Sequence, residues 1–360
     1  MKNLIGTALY CGIGNSIKQM KKHIEEAVSV GINALFTSLQ LPEADKTQLL
    51  NDFPIMAEIA HNNGMVVEAD ISERSANLFG LDINDIAAFH KMGVDYARLD
   101  GGFSDEETVA LSHNNYNVTV VLNAVLASDE WLTKLKALGV NEEQICFCHN
   151  YYPMRYTGLT FAEAKKLNDN IHKHGFRVSG FLASQTHHRI ACSIGLPTLE
   201  RHRDMNVFTA SQEAFLCGMD DLFFGDDFAS ANEMKALACA DPEVVTLRIT
   251  PFVEGEITDW LLGRVLGQTQ CGLEMILRSN FNDSAFPRNS DYTKSFERRR
   301  GDVTVCKNSL WRYSGEIQLV RKDLPMDPGI GLIGRIIDDD LPLLDTFRSS
   351  KKFRLVRSGN

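Results

Sequence analysis

The stretch Gly93-Val94-Asp95-Tyr96-Ala97-Arg98-Leu99-Asp100 decides the fold, because its pattern recurs along the first two thirds of the chain. In each copy a polar, helix-like segment ends at a glycine, and a short apolar run follows and stops at polar residues. The glycines are Gly31, Gly64, Gly93, Gly139, Gly175 and Gly218. A glycine just past a helix end adopts the left-handed backbone that other residues resist. The short apolar run behind it predicts a strand buried on both faces.

The number of these runs favours one architecture. The predicted strands are Leu4–Cys11, Ile32–Ser38, Met65–Asp70, Val94–Asp100, Val118–Val125, Val140–His149, Phe176–Ser184 and Met219–Asp226. Alternating helices and strands predict a parallel sheet, and eight such units within about 230 residues fit a (β/α)8 TIM barrel. The alternative is a doubly wound open sheet that binds a dinucleotide, which needs a glycine-rich loop after its first strand. Gly12-Ile13-Gly14-Asn15-Ser16 matches that loop only in part, since the third glycine is missing.

The pattern changes after Asp241-Pro242-Glu243, where the proline interrupts the last helical segment. Short predicted strands separated by turn residues follow, at Val244–Phe252, Gly272–Leu277, Gly301–Val305, Gly315–Val320 and Gly331–Ile337. We therefore expect a barrel domain over residues 1–240 and a small, mostly β domain over residues 243–360.

Composition narrows the class of protein. The chain has 360 residues, a net charge of −10 and 44% hydrophobic residues, values that are typical of a globular protein. The negative charge argues against nucleic acid or an anionic membrane as a partner, and no run of eighteen apolar residues predicts a transmembrane helix. The first residues lead directly into a predicted strand, so we expect no signal peptide. Eight scattered cysteines favour reduced thiols and a cytoplasmic location.

The active site of such a barrel lies where the strands end, and these ends are rich in carboxylates. They are Asp70, Glu73, Asp100 and Asp226. Two carboxylates that face one substrate suit glycosidic bond cleavage, since one donates a proton while the other acts as nucleophile or activates water. Asp100 is the strongest candidate, because it follows Arg98 by two positions and precedes Gly101-Gly102. We assign Asp100 and Asp70 as the catalytic pair, with Glu73 and Asp226 in reserve. The alternative for each carboxylate is a role in capping a loop or helix.

Other strand ends supply candidate substrate-binding residues. Loops after strands seven and eight often hold a phosphate in these barrels, which points to Ser184, His188 and Arg189. The side chains expected to position a sugar are Ser38, Arg98, Asn123, His149, Asn150 and Tyr152, with Arg288 and Glu316 from the second domain. His149 and the His187-His188 pair could instead bind a metal, but no HxH spacing occurs among them and we expect no metal site.

Several motifs, in order along nearly the whole chain, resemble the bacterial 6-phospho-N-acetylmuramidase family. They are Phe36-Thr37-Ser38-Leu39 with Pro42-Glu43, Arg98-Leu99-Asp100, His149-Asn150-Tyr151-Tyr152-Pro153, Gly195-Leu196-Pro197-Thr198-Leu199-Glu200-Arg201-His202-Arg203, Phe223-Phe224-Gly225-Asp226 and Arg312-Tyr313-Ser314-Gly315-Glu316-Ile317. The resemblance implies a TIM barrel followed by a cyclophilin-like domain. It also implies cytoplasmic hydrolysis of the β-1,4 bond in N-acetylmuramic acid 6-phosphate–N-acetylglucosamine, a phosphorylated amino-sugar disaccharide, during cell-wall sugar recycling, without a metal or organic cofactor.

The chain departs from the pattern of this family in two places. Gln40 stands where the family usually has a histidine, and Ile190-Ala191-Cys192-Ser193-Ile194 replaces a loop that contains Gly-Pro. The second departure adjoins the expected phosphate site.

Two other classes of function compete with a glycosidase. A phosphosugar aldolase or epimerase is one, although a Schiff-base aldolase needs a lysine at a strand end and none of the eight predicted strands ends in one. A non-catalytic carbohydrate-binding protein is the other, although it has little need for a ring of carboxylates.

Overall fold

The computed structural model describes residues 3–100, 102–189, 194–269, 274–279, 293–347 and 351–359. The chain divides into two compact units, Met1–Cys239 and Ala240–Asn360. No helix among the described residues has the length and apolar character needed to cross a membrane.

The first unit is a closed barrel of eight parallel strands in sequential order, with β1 paired to β8, which confirms the TIM-barrel prediction. The strands are β1 (Ile5–Ala8), β2 (Ala34–Ser38), β3 (Val66–Ile71), β4 (Tyr96–Leu99), β5 (Thr119–Asn123), β6 (Ile145–Cys148), β7 (Val178–Leu182) and β8 (Asp221–Asp227). All eight lie within the predicted runs except for one residue each at the ends of β3 and β8, Ile71 and Asp227.

Nine α-helices connect or follow these strands in the described part of the first unit. They are α1 (Ile17–Ser29), α2 (Lys46–Asn62), α3 (Glu73–Phe79), α4 (Ile86–Lys91), α5 (Asp105–Ser112), α6 (Asp129–Ala137), α7 (Phe161–Lys173), α8 (Val207–Cys217) and α9 (Ala231–Ala238). Ser16 and Thr160 begin α1 and α7 with reciprocal capping boxes. Helix α8 ends at Gly218, whose φ of 95° is the left-handed conformation expected from the sequence.

The barrel interior is divided between apolar and polar sides. Phe36, Phe181 and Phe223, from β2, β7 and β8, pack together, and the Phe36 and Phe181 ring centroids are 4.8 Å apart. Strands β3 and β4 instead carry buried charged side chains, described below. Because alternate residues of a strand point to opposite faces, the polar side is produced by positions of β3 and β4 that face the barrel axis.

The second unit contains a seven-stranded mixed sheet in the order β10-β15-β9-β14-β12-β13-β11. Its strands are β9 (Val244–Pro251), β10 (Val265–Leu266), β11 (Ile276–Arg278), β12 (Asp302–Cys306), β13 (Ile317–Val320), β14 (Ile330–Ile336) and β15 (Lys352–Arg357), and its helices are α10 (Glu256–Leu261) and α11 (Leu343–Thr346). Strand β15, which pairs with β9 in parallel, was not predicted from the sequence.

Candidate active site

A cavity of about 410 Å³ opens where the barrel strands end. We call it the mouth cavity; its described lining residues are Ser38, Gln40, Leu41, Pro42, Asp70, Arg98, Asp100, Asn150, Tyr151, Tyr152 and Arg189. Seven of the residues predicted from the sequence are therefore brought together here: Ser38, Asp70, Arg98, Asp100, Asn150, Tyr152 and Arg189.

Asp70 and Arg98 form a buried ion pair in the wall of this cavity. They are partners in the register between β3 and β4, and Arg98 Nη1 donates to Asp70 Oδ1 over 2.7 Å. Both residues are 4% exposed. Burial raises the pKa of Asp70, while the Arg98 charge and hydrogen bonds from Arg98 and Ser38 act in the opposite direction.

Asp100 approaches the same guanidinium nitrogen as Asp70. Arg98 Nη1 is 3.6 Å from Asp100 Oδ1, and the Asp100 side chain is 38% exposed. Gln40 Nε2 donates a hydrogen bond to Asp100 Oδ2. Since both carboxylates contact one nitrogen, the sum of the two distances, 6.3 Å, is the upper limit for the separation of Asp70 Oδ1 and Asp100 Oδ1.

Arg98 also connects the carboxylates to two asparagines. Its Nη2 donates to Asn150 Oδ1 over 2.6 Å, and Asn123 Nδ2 donates to the same oxygen over 3.3 Å. The Asn150 backbone carbonyl accepts a hydrogen bond from the Thr198 hydroxyl. Asn123 thus supports the cavity wall through Asn150 and is not itself among the lining residues.

Arg189 supplies a second guanidinium group to the mouth cavity. Its Nη1 donates to the Tyr151 hydroxyl over 3.1 Å, and its guanidinium carbon lies 5.1 Å from the Tyr10 ring centroid and 5.5 Å from that of Tyr151. Glu43 Oε1 is 3.7 Å from Arg189 Nε. The two aromatic faces hold the cation in place beside the carboxylate pair.

The structure places the two reserve carboxylates outside the mouth cavity. Asp226 is fully buried and accepts hydrogen bonds from the backbone N–H groups of Ser184, Arg189 and Leu196 at 3.0, 3.1 and 3.0 Å. It therefore fixes the loop that carries Arg189. Glu73 is exposed and begins α3.

Three other predicted residues also have partners away from the cavity lining. The fully buried His149 places its Nε2 2.7 Å from Asn168 Oδ1 on α7, on the opposite face from Asn150. The Ser184 hydroxyl donates to Glu233, and His188 Nε2 lies 3.0 Å from the Ser184 carbonyl. Burial lowers the pKa of His149 to about 4, so its ring is neutral near neutral pH.

Of the two candidates in the second unit, the structure describes Glu316. Glu316 forms a bidentate ion pair with Arg278, at 2.8 and 2.6 Å, beside a cavity of about 420 Å³ in the second unit. Arg288 lies outside the described residues, as does most of the 190–194 loop.

Sequence reasoning missed Gln40 as a partner of Asp100, and it missed Glu68 on β3. Gln40 follows β2, and Glu68 lies within β3. Because Asp70 faces the barrel axis, the period-2 alternation of a strand places Glu68 on the same face. Among the described residues, no group of three or more His, Cys, Asp or Glu side chains has an arrangement that could hold a metal ion.

Comparison with known proteins gives a consistent family assignment. A family model described as 6-phospho-N-acetylmuramidase, N-terminal, matches residues 5–239, and one described as 6-phospho-N-acetylmuramidase, C-terminal, matches residues 274–356. No curated protein sequence matches the chain significantly.

Two solved structures resemble the chain over almost its full length. The crystal structure of an uncharacterized B. cereus protein has 25% identity and a TM-score of 0.83, and covers 99% of this chain and 100% of its own. That of a conserved Enterococcus faecalis protein with an unknown function has 26% identity and a TM-score of 0.71, covering 99% and 97%.

Proposed function

Because the chain belongs to the 6-phospho-N-acetylmuramidase family, we propose that it hydrolyses the β-1,4 bond of N-acetylmuramic acid 6-phosphate–N-acetylglucosamine. The observation that carries the proposal is the placement of Asp70 and Asp100 on one cavity, both next to Arg98 Nη1. This is the pair of carboxyl groups that glycoside hydrolysis requires.

The two carboxyl groups differ in the way that the reaction needs. Asp70 is buried against Arg98, whose positive charge opposes the rise in the Asp70 pKa that burial causes and whose hydrogen bond holds the carboxyl group in place, as a nucleophile requires. Asp100 is partly exposed and accepts a hydrogen bond from Gln40, so its carboxyl group is accessible to the leaving oxygen of a bound sugar. Asp100 is therefore the proposed proton donor.

We propose a retaining mechanism, because one oxygen of each group, Asp70 Oδ1 and Asp100 Oδ1, lies within 6.3 Å of the other, whereas inverting enzymes hold their two carboxyl groups about 6.5–9.5 Å apart. In the first step an Asp70 oxygen bonds to the anomeric carbon while the glycosidic C–O bond breaks, and the Asp100 proton passes to the leaving oxygen. In the second step water attacks the anomeric carbon, Asp100 takes its proton, and the bond to Asp70 breaks.

Arg189 is the proposed phosphate-binding residue. It lines the same cavity as the carboxylates, and a guanidinium group binds phosphate through paired N–H donors. Asp226 holds its backbone, and Tyr10 and Tyr151 hold its side chain. This arrangement would select a 6-phosphorylated sugar over an uncharged one.

The proposed setting is cell-wall sugar recycling in the cytoplasm. A phosphorylated disaccharide is the kind of substrate that a cell retains inside its membrane. The six cysteines in the described part of the chain are free thiols, which supports a reducing compartment.

The experiment is incubation of the full chain with the phosphorylated disaccharide and with its dephosphorylated form, followed by mass spectrometry of the products. We expect two monosaccharides from the first and little cleavage of the second. Asp100→Asn should give neither product, while Glu73→Gln, which alters an exposed carboxylate outside the cavity, should cleave normally. An intact phosphorylated disaccharide after incubation with the wild type would refute the proposal.

A further inference from the structure

Glu68 is a buried carboxyl group inside the barrel, farther from the mouth cavity along β3 than Asp70. It lies on β3 two residues before Asp70, so both side chains face the barrel axis. Glu68 is 2% exposed, and its Oε1 has no hydrogen-bond partner in the parts of the chain that the structure describes. An ionised carboxylate accepts several hydrogen bonds, whereas Glu68 interacts in this way only weakly, with the Cys148 thiol, and a buried carboxylate with so few is costly.

The charges around Glu68 do not suffice to balance a second buried anion. The titratable and charged groups that face it are Asp70 on its own strand, Tyr96 and Arg98 on β4, Cys146 and Cys148 on β6, and Asp221 on β8. Arg98 is the cation of this set; its Nη1 contacts both Asp70 and Asp100 and its Nη2 binds Asn150, while its Nε has no hydrogen-bond partner among the described residues.

At the opposite end of the barrel, the described cation Arg177 is already paired with a carboxylate. Asp221 is bound by Arg177, with Nη2 and Oδ1 2.6 Å apart. One guanidinium group therefore serves three carboxyl groups, Glu68, Asp70 and Asp100, and Glu68 is the one without a bond to it in the structure.

We propose that Glu68 is a positioning residue held as a neutral carboxylic acid, whose neutrality leaves the Arg98 guanidinium group to Asp70. This inference rests on the proposed function, in which Asp70 acts as the ionised nucleophile. Burial supports it by raising the pKa of Glu68 to about 8, despite the opposing effect of the Arg98 charge.

The consequence is an alkaline limit to activity. When Glu68 loses its proton, a second anion appears below Arg98 and competes with Asp70 for the guanidinium group. The Asp70 carboxylate then loses its fixed position, and the near-attack geometry on which catalysis depends is lost with it. We expect kcat/KM to fall at about pH 8 and above.

Glu68→Gln tests this inference, because glutamine has the shape of the neutral acid and cannot ionise. At about pH 6 the variant should fold and keep kcat/KM within about threefold of the wild type. Its decline in kcat/KM above about pH 8 should be absent or displaced upward. Glu58→Gln, at an exposed position of α2, should retain the wild-type profile. A loss of more than about tenfold at pH 6, failure to fold there, or an unchanged alkaline decline would each overturn the inference.

Unfolding by urea provides a second test that needs no substrate. The unfolded-state pKa of glutamate is about 4.3, so between that pH and about 8 the native state holds a proton that the unfolded state has released. The contribution of Glu68 to the free energy of unfolding must therefore fall with rising pH across this window. Glu68→Gln should lose less stability than the wild type between about pH 5 and pH 8.5. Equal losses would show that Glu68 is already ionised and would refute the inference, whether or not the protein cleaves the disaccharide.

Discussion

Arg98 Nη1 donates a 2.7 Å hydrogen bond to Asp70 Oδ1 across the register between β3 and β4. The same nitrogen lies 3.6 Å from Asp100 Oδ1, so one side chain fixes the spacing of both carboxylates. Neighbouring strands of a closed barrel hold such positions rigidly. The proposed chemistry depends on this arrangement more than on any single carboxylate.

Replacement of either carboxylate should abolish turnover without unfolding the barrel. In Asp70→Asn the nucleophile is lost, and in Asp100→Asn the proton donor is lost, so we expect kcat to fall by about 10³-fold or more in each. Steady-state kinetics on the phosphorylated substrate measures the loss, and circular dichroism checks the fold. Near-normal kcat in either variant would remove that residue from the mechanism.

The hydrogen bond from Gln40 to Asp100 should contribute to catalysis in a graded way. Gln40→Ala removes the donor that orients the Asp100 carboxyl group, so we expect kcat to fall by about tenfold with little change in KM. Gln40→Glu places a like charge beside Asp100 and should cost more. Equal kinetics for the wild type and both variants would show that the hydrogen bond from Gln40 does not contribute to the function of Asp100.

Arg189 should determine the preference for a phosphorylated substrate. Arg189→Lys keeps the charge but loses the forked donors and the planar stacking on Tyr10 and Tyr151. We expect KM for the phosphorylated substrate to rise by about tenfold or more, while turnover of an unphosphorylated analogue stays nearly constant. Arg155→Lys, at an exposed ion pair with Asp204, is the matched control. A parallel loss on both substrates would argue against phosphate binding by Arg189.

Replacement of Asp226 should lower the stability of the fold, because this carboxylate has a structural role. Asp226→Asn places an amide N–H₂ group among three backbone donors, and we expect a loss of about 1–3 kcal/mol in the free energy of unfolding. Urea denaturation measures it, with the exposed Asp204→Asn as control. Unchanged stability together with abolished turnover would instead give Asp226 a direct catalytic role.

The barrel was predictable from the sequence because its signal is local and repeated. A helix, a glycine and a buried strand recur at nearly every unit, so an error in one unit leaves the count intact. Strand β15 was missed although the buried Phe353 and Leu355 alternate with polar residues, as in a half-buried strand. Its parallel pairing with β9 connects segments about a hundred residues apart, which no local pattern shows.

The candidate site was predictable only to the level of strand ends. Asp70, Arg98 and Asp100 occupy inward-facing positions and meet in the cavity. His149 directly precedes Asn150 in the chain, so it points to the opposite face and packs against Asn168. Strict period-2 counting on β6 would have separated those two. The role of Asp226 in binding three loop N–H groups depends on loop geometry that no sequence pattern encodes.

The most direct test of the central claim is release of a chromophore from a β-linked chromogenic N-acetylmuramide, with and without a 6-phosphate, by the wild type and by Asp100→Asn. We expect rapid release by the wild type from the phosphorylated glycoside, at least about a hundredfold slower release from the unphosphorylated one, and almost none by the variant. No release from the phosphorylated glycoside by the wild type, or equal release by the wild type and Asp100→Asn, would contradict it.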